Sequence, residues 1–416
     1  MYRFSEKHGL STLVTHLGEA ANPFNAHVEP IYQTSTFNFP DVATGAGIVG
    51  RTQPGFYYTR LGNPNLEHLA SKLAFLEALD MLRANPGVPP EDLAAGQLFA
   101  SGMAAVSAVL LSRLKAGDTV IAQEAVYSNT FNFLQEVAPR LDLQVAWVSD
   151  VSPQGWEAAF AAHPGACLAY AETPANPTMT VVDLQAAAEI AHRHGAWLAV
   201  DNTFATPYCQ RPLSLGADIV IHSTTKFLSG HGALIGGAVI SRHPAYIHDD
   251  LRLFVKVLGG TPSPFDSWLA NLGLKTFELR MQRHCQNALA VARWLSAHPA
   301  VAAVHYPGLE NHPAHQVALR QMHFNGAPAF GSMLAFELKG GLEAGVRLME
   351  RVAVATLAVS LGNVDTLIQH PASMTHAPVP RPDRLKQGIT DGLVRLSVGI
   401  ENIEDLLADL EQGLKD

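Results

Sequence analysis

The chain has 416 residues, 48% hydrophobic and 16% charged, which is globular usage and enough length for a large α/β domain plus a smaller one. Its formal charge of -9 includes no block of like charge, so a nucleic-acid partner, which needs clustered Lys and Arg, is excluded. Cys167, Cys209 and Cys285 make no C-x-x-C pair for zinc or redox chemistry, and a reducing compartment is expected.

The run from Met1-Tyr2-Arg3 to Lys7 lacks the apolar stretch of a secretory signal, and no 18 apolar residues occur together, so a soluble, cytoplasmic protein without a membrane partner is expected. Residues 1–62 are rich in Pro, Gly, Thr and aromatics and read as an arm, with Gly55–Pro64 an ordered loop. Leu79–Gln97 is Pro-containing and polar, and reads as a surface excursion without chemistry. Short apolar runs then follow at Val120–Ala122, Ala166–Ala171, Trp197–Val200, Ile219–Ile221 and Gly237–Ile240; they predict buried parallel strands. Helices are predicted between them at Met103–Leu114, closed by Gly117, and at Leu184–His194, closed by Gly195. This alternation predicts a mostly parallel, doubly wound α/β sheet over 63–261. After Thr261-Pro262-Ser263-Pro264 the pattern changes to a long helix, strands at Met333–Leu338 and Leu393–Val398, and a final amphipathic helix carrying Ile403, Leu406, Leu407, Leu410 and Leu414. Residues 262–416 are expected to form a smaller C-terminal α+β domain.

The run Ser223-Thr224-Thr225-Lys226 directly follows the buried strand Ile219–Ile221. Open α/β sheets bind ligands beyond the carboxyl ends of their strands, and a lysine removed from water there becomes a neutral amine able to form a Schiff base. A lysine snorkelling from a strand end is the blander alternative. Asp201 ends the preceding strand; on a parallel neighbour it lies along the same sheet edge, where a carboxylate can keep a cofactor's pyridine nitrogen protonated. It can equally cap the turn through Asn202 and Thr203. Ala100-Ser101-Gly102-Met103 opens a helix whose free N–H groups suit a phosphate, with the Ser223 and Thr225 hydroxyls beside it. His192, His194, His222, His231 and His370 show no H-E-x-x-H spacing, and no metal is expected.

Ordered motifs along nearly the whole chain extend these signals: FYYTRLGNPN, ASGMAA, ETPANPT, VDNTFATPY, HSTTKFLSGHG, VSLGNVDTLIQHPASMTH and GLVRLSVGIE. On these motifs the chain resembles the Cys/Met-metabolism group of pyridoxal-phosphate enzymes of fold type I, which includes cystathionine γ-synthase, cystathionine and methionine γ-lyases, and homoserine sulfhydrylases. The resemblance implies pyridoxal 5'-phosphate as cofactor, Lys226 as the Schiff-base lysine and Asp201 as partner of the pyridine nitrogen. Gly102, Met103, Ser223 and Thr225 would bind phosphate. Tyr127 would stack on the ring and pass protons to a leaving group. Tyr58 and Arg60 would reach the phosphate in a neighbouring subunit, implying a homotetramer of dimers that share sites; Arg60 read alone is a solvated loop charge. Arg395, a guanidinium on the apolar strand Leu393–Leu396, would clamp the substrate carboxylate, with Asn176 and Ser360 close by. An ion pair with an acidic side chain is the alternative for Arg395.

The implied reaction is release of a γ-substituent from an amino acid, followed by hydrolysis to a keto acid and ammonia or by capture of a new thiol. Val359 stands where cystathionine-using relatives tend to carry an acid, and it favours a small apolar γ-substituent such as that of methionine. Against this, methionine γ-lyases carry a cysteine two positions after the ring tyrosine, where this chain has Asn129, and their Lys-Asp pair falls on Val255 and Lys256. The expectation is γ-elimination on methionine-like substrates, with γ-replacement on an acylhomoserine, or a cystathionine γ-lyase, as the alternatives.

Overall fold

The computed structural model describes residues 4–17, 22, 24–377, 380–386 and 388–415. Met1–Arg3, the start of the N-terminal run, lie outside them. A seven-stranded sheet holds β1 (Ala95–Phe99), β2 (Thr119–Gln123), β3 (Gln144–Val148), β4 (Leu168–Glu172), β5 (Trp197–Asp201), β6 (Ile219–His222) and β7 (Gly237–Ser241). Its order is β1-β7-β6-β5-β4-β2-β3. The five strands from β6 to β3 run parallel, and they read as continuous apolar runs because helices cover both faces.

Two expectations need correction. The strand at Gly237 runs antiparallel to β6 rather than parallel, since an apolar run records burial on both faces and not direction. The stretch Leu79–Gln97 is also more than an excursion. Leu79 and Leu82 are buried, and its end forms β1, an edge strand antiparallel to β7. Gly96 in that strand admits close helix packing, because a Cβ there would stand 2.7 Å from the Ala70 carbonyl oxygen.

The predicted helix at Met103 spans Gly102–Arg113 and starts where the Ser101 side chain accepts the Ala104 N–H, a normal N-cap. The helix Leu184–Arg193 starts on the Asp183 carboxylate and is followed by Gly195 at φ 75°, a conformation glycine adopts without strain. On the face of the sheet opposite the Gly102–Arg113 helix, the helix Pro64–Glu77 packs on β1 and β7 and buries Leu69, Leu73 and Leu76. Each such leucine contributes roughly 1.5–3 kcal/mol by burial, so truncating Leu73 alone would remove a sizeable part of a typical domain's net stability.

The remaining strands are β8 (Val301–His305), the short hairpin β9 (His323–Phe324) and β10 (Ala327–Pro328), β11 (Met333–Leu338), β12 (Thr356–Leu357), β13 (Leu367–Gln369) and β14 (Leu393–Ser397). A second sheet of order β12-β13-β14-β11-β8 packs beneath the helices Phe277–Ala297 and Gly341–Arg351, which the final helix Ile403–Gly413 contacts in turn. One apolar cluster runs from Leu73 and Val220 to Phe336 and Leu396, so the two sheets are joined through a continuous core. The helix Pro264–Leu274 packs against Pro64–Glu77 within it. Among the described residues no helix is long and apolar enough to cross a membrane.

Candidate active site

The carboxyl ends of β4, β5 and β6 open into a cleft of about 490 Å³ between the two sheets. Its lining includes Gly102, Met103, Tyr127, Asn176, Asp201, Ser223, Thr225, Lys226, Ser360 and Arg395, so ten residues singled out from sequence converge on one space. Tyr58 and Arg60 do not line it. Arg60 lies over the Tyr58 ring, 5.4 Å from its centroid, and donates to the Lys256 carbonyl of its own chain.

Lys226 sits in the turn after β6. Arg280 secures that turn from behind by donating to the carbonyls of Phe227 at 2.8 Å and Leu228 at 3.3 Å. The Lys226 Nζ donates to Ser360 Oγ at 2.8 Å. Burial, with a smaller contribution from the Arg395 charge, pulls the Lys226 pKa down to about 8, so a useful fraction of neutral amine exists near neutral pH.

Asp201 ends β5 in register with Ile221 of β6, as a shared sheet edge requires. Its Oδ1 accepts the Thr203 N–H at 3.0 Å, so the turn-capping alternative holds geometrically while the carboxylate still faces the cleft. Desolvation pushes its pKa upward, and the Thr203 donors oppose the shift.

Opposite, the start of the helix Gly102–Arg113 meets Ser223. A Cβ at position 102 would lie 2.9 Å from the Ser223 Cβ, so only glycine allows this approach. The Thr225 hydroxyl is engaged with Gly236, donating to its carbonyl at 3.2 Å and accepting its N–H at 3.0 Å.

Arg395 on β14 is buried, yet it has no acidic partner among the described residues. It donates to Asn176 Oδ1 at 3.0 Å and to the Ser360 carbonyl at 2.6 Å, and its Nε has no partner. The ion-pair alternative is therefore absent, and a buried guanidinium with unused donor capacity suits an incoming carboxylate. Burial lowers its pKa to about 10, which leaves it charged at neutral pH. Tyr127 is 39% exposed at the cleft wall, and its hydroxyl oxygen accepts from Asn129 Nδ2 at 3.0 Å.

Several lining residues escaped sequence reasoning: Glu172, Gln369, Thr375 and His376. Glu172 is the most informative. It ends β4 in register with Asp201, and its two oxygens accept the N–H groups of Tyr127 at 2.7 Å and Asn176 at 2.9 Å. The pairing of two neighbouring strands that both end in an acid was the available signal. His222, one of the histidines weighed as a metal ligand, instead meets Glu77 at 2.6 Å with both side chains buried. Among the described residues no group of three or more His, Cys, Asp or Glu is placed to hold a metal.

An amine of lowered pKa, a facing carboxylate on the next parallel strand and a glycine-opened helix start fit pyridoxal phosphate, in a chain with the fold type I architecture. The chain belongs to the Cys/Met metabolism PLP-dependent enzyme family, whose pattern matches residues 11–415. It is 44% identical over 413 residues to the L-methionine gamma-lyase of Fusobacterium nucleatum subsp. nucleatum, covering 99% of both chains. It is 45% identical over 408 residues to that of Porphyromonas gingivalis, covering 98% of this chain and 97% of the other. The structure of cystathionine gamma synthase from Xanthomonas oryzae pv. oryzae, in complex with aminoacrylate and cysteine, matches with a TM-score of 0.87 at 37% identity over 98% of both chains.

Proposed function

We propose that this protein eliminates the γ-substituent of methionine or a closely related sulfur amino acid, yielding an α-keto acid, ammonia and a thiol. The observation that carries the substrate choice is Val359, which lines the cleft beside Ser360 and offers no charge to a distal amine. The full-length similarity to proteins named methionine gamma-lyase supports the same choice.

Pyridoxal phosphate, when bound, supplies an electrophilic aldehyde carbon and an electron-withdrawing ring. Gly102, Met103, Ser223 and Thr225 would hold its phosphate, and Asp201 its pyridine nitrogen. Arg395 and Asn176 fix the substrate carboxylate, which leaves the α-carbon facing Lys226. As a neutral amine, Lys226 takes the Cα proton, gives it up to the aldehyde carbon of the bound cofactor and, neutral again, takes a Cβ proton. The Tyr127 hydroxyl hands a proton to the departing sulfur. Val359 and Ile235, both exposed, line the wall and offer the thioether an apolar surface.

One observation favours γ-replacement on an acylhomoserine instead: the Asn129 side chain holds the Tyr127 hydroxyl, where a cysteine is expected in the lyases. Incubating the purified protein with methionine alone decides between them. α-Ketobutyrate and methanethiol should form at a rate that added thiol does not raise. Keto acid appearing only from O-acetylhomoserine, with a thiol diverting it to a thioether, would establish the second reading.

We further place the working unit as a cytoplasmic homotetramer in which Tyr58 and Arg60 complete a neighbour's site, with residues 1–62 as the arm, 63–261 as the cofactor domain and 262–416 as the small domain. Exposed Leu253, Val257 and Leu258 lie on the helix whose Lys256 carbonyl Arg60 meets, an apolar surface suited to burial between subunits. Sedimentation of the active enzyme as a monomer would contradict this assembly.

A further inference from the structure

We propose that Glu172 is a positioning residue that sets the ring-facing tyrosine and the substrate-clamping asparagine through one carboxylate. This deepens the reading of the cleft given above and rests on it.

The geometry is a fork at the end of β4. Glu172 Oε2 accepts the Tyr127 N–H at 2.7 Å, and Oε1 accepts the Asn176 N–H at 2.9 Å. Tyr127 carries the hydroxyl at the cleft wall, and Asn176 carries the Oδ1 that Arg395 grips at 3.0 Å. Two loops that leave different strands are thus fastened to a single side chain, which is only 4% exposed. The fork is itself fixed, because the Glu172 N–H donates to Gln123 Oε1 at 3.0 Å and the residue pairs with Asp201 on β5.

A buried carboxylate beside a second one is costly and is retained only where its bonds are worth more. Desolvation, then the charge of Asp201, raises the Glu172 pKa to about 8, and the two N–H bonds work against that rise. A hydrophobic residue of the same shape would spare this cost but would leave two backbone donors unsatisfied.

The test is Glu172→Gln, which keeps the shape while turning one acceptor into a donor that opposes an N–H. Turnover on methionine should fall about tenfold to hundredfold, the scale expected of sub-ångström to 1 Å misplacement. Double-mutant cycles assign the route. Added to Tyr127→Phe, Glu172→Gln should lower kcat by less than about threefold more; added to Asn176→Ala, it should weaken binding of a competing amino acid without a γ-leaving group by a similarly small factor. Amide hydrogen exchange over residues 124–131 and 173–180, measured with and without cofactor, should speed up in Glu172→Gln alone. Full multiplicative losses in both cycles, or unchanged exchange, would overturn the proposal. If the glutamine variant does not fold, Glu172→Asp, which keeps the carboxyl group but cannot span both donors, carries the same cycles. A wild-type protein inactive on every amino acid would sink the parent reading, and the exchange measurement would still judge the fork.

Discussion

Replacing Arg395 with lysine keeps a positive charge on β14 but removes the planar fork. The guanidinium already spends two N–H groups on Asn176 and Ser360 and has Nε unpartnered, so donor capacity remains for a carboxylate in the cleft that Arg395 lines. A lysine ammonium is a point charge on a flexible stem; it cannot hold Asn176, the Ser360 carbonyl and both carboxylate oxygens together. One charge-assisted bond contributes about 1.5–3 kcal/mol, so kcat/KM for methionine should fall about 10- to 150-fold, mostly through KM. Steady-state kinetics, run beside binding of 3-(methylthio)propylamine, provides the assay. That amine lacks the carboxylate, and its affinity should be the same in wild type and variant. Equal losses for both compounds would refute the clamp, because they would mean that the substitution damages the cleft in general.

The rate at which cofactor-free protein captures pyridoxal phosphate should climb with pH and level off near 8. The sign follows from the lowered pKa of Lys226: the reactive neutral amine is roughly one-tenth of the population at pH 7, against roughly one part in three thousand for an ordinary lysine. Stopped-flow absorbance that still rises tenfold per unit above pH 9 would show an unperturbed amine. Gly102→Ala should weaken the phosphate-bearing cofactor about 5- to 150-fold, from overpacking worth about 1–3 kcal/mol against Ser223, and should leave unphosphorylated pyridoxal almost unaffected. Fluorescence titration with both forms reads the difference, and equal shifts would place the strain elsewhere.

Much of this site was legible because its chemistry lies at strand ends, where apolar runs stop and reactive side chains start. Ile219–Ile221 announced Lys226, and Trp197–Val200 announced Asp201; β5 and β6 set the two along one edge. Directions were not legible. β7 is as apolar as its parallel neighbours, and only its pairing shows that it returns. β1 was hidden because Gly96 and Gln97 break the apolar pattern that marks the other strands. Glu172 was overlooked for a different reason: a carboxylate in a motif reads as solvated until the fold buries it against Asp201 and two backbone donors. The three cysteines form no C-x-x-C pair in the sequence, yet the fold brings the Cys209 and Cys285 sulfurs to 3.8 Å, a proximity that sequence separation concealed.

Borohydride reduction of the cofactor-loaded protein, followed by peptide mass mapping, tests the central assignment most directly. A single phosphopyridoxyl adduct on the peptide containing Lys226, absent from Lys226→Ala along with turnover, is the predicted result. An adduct on another lysine, or an alanine variant that still turns over, would contradict it.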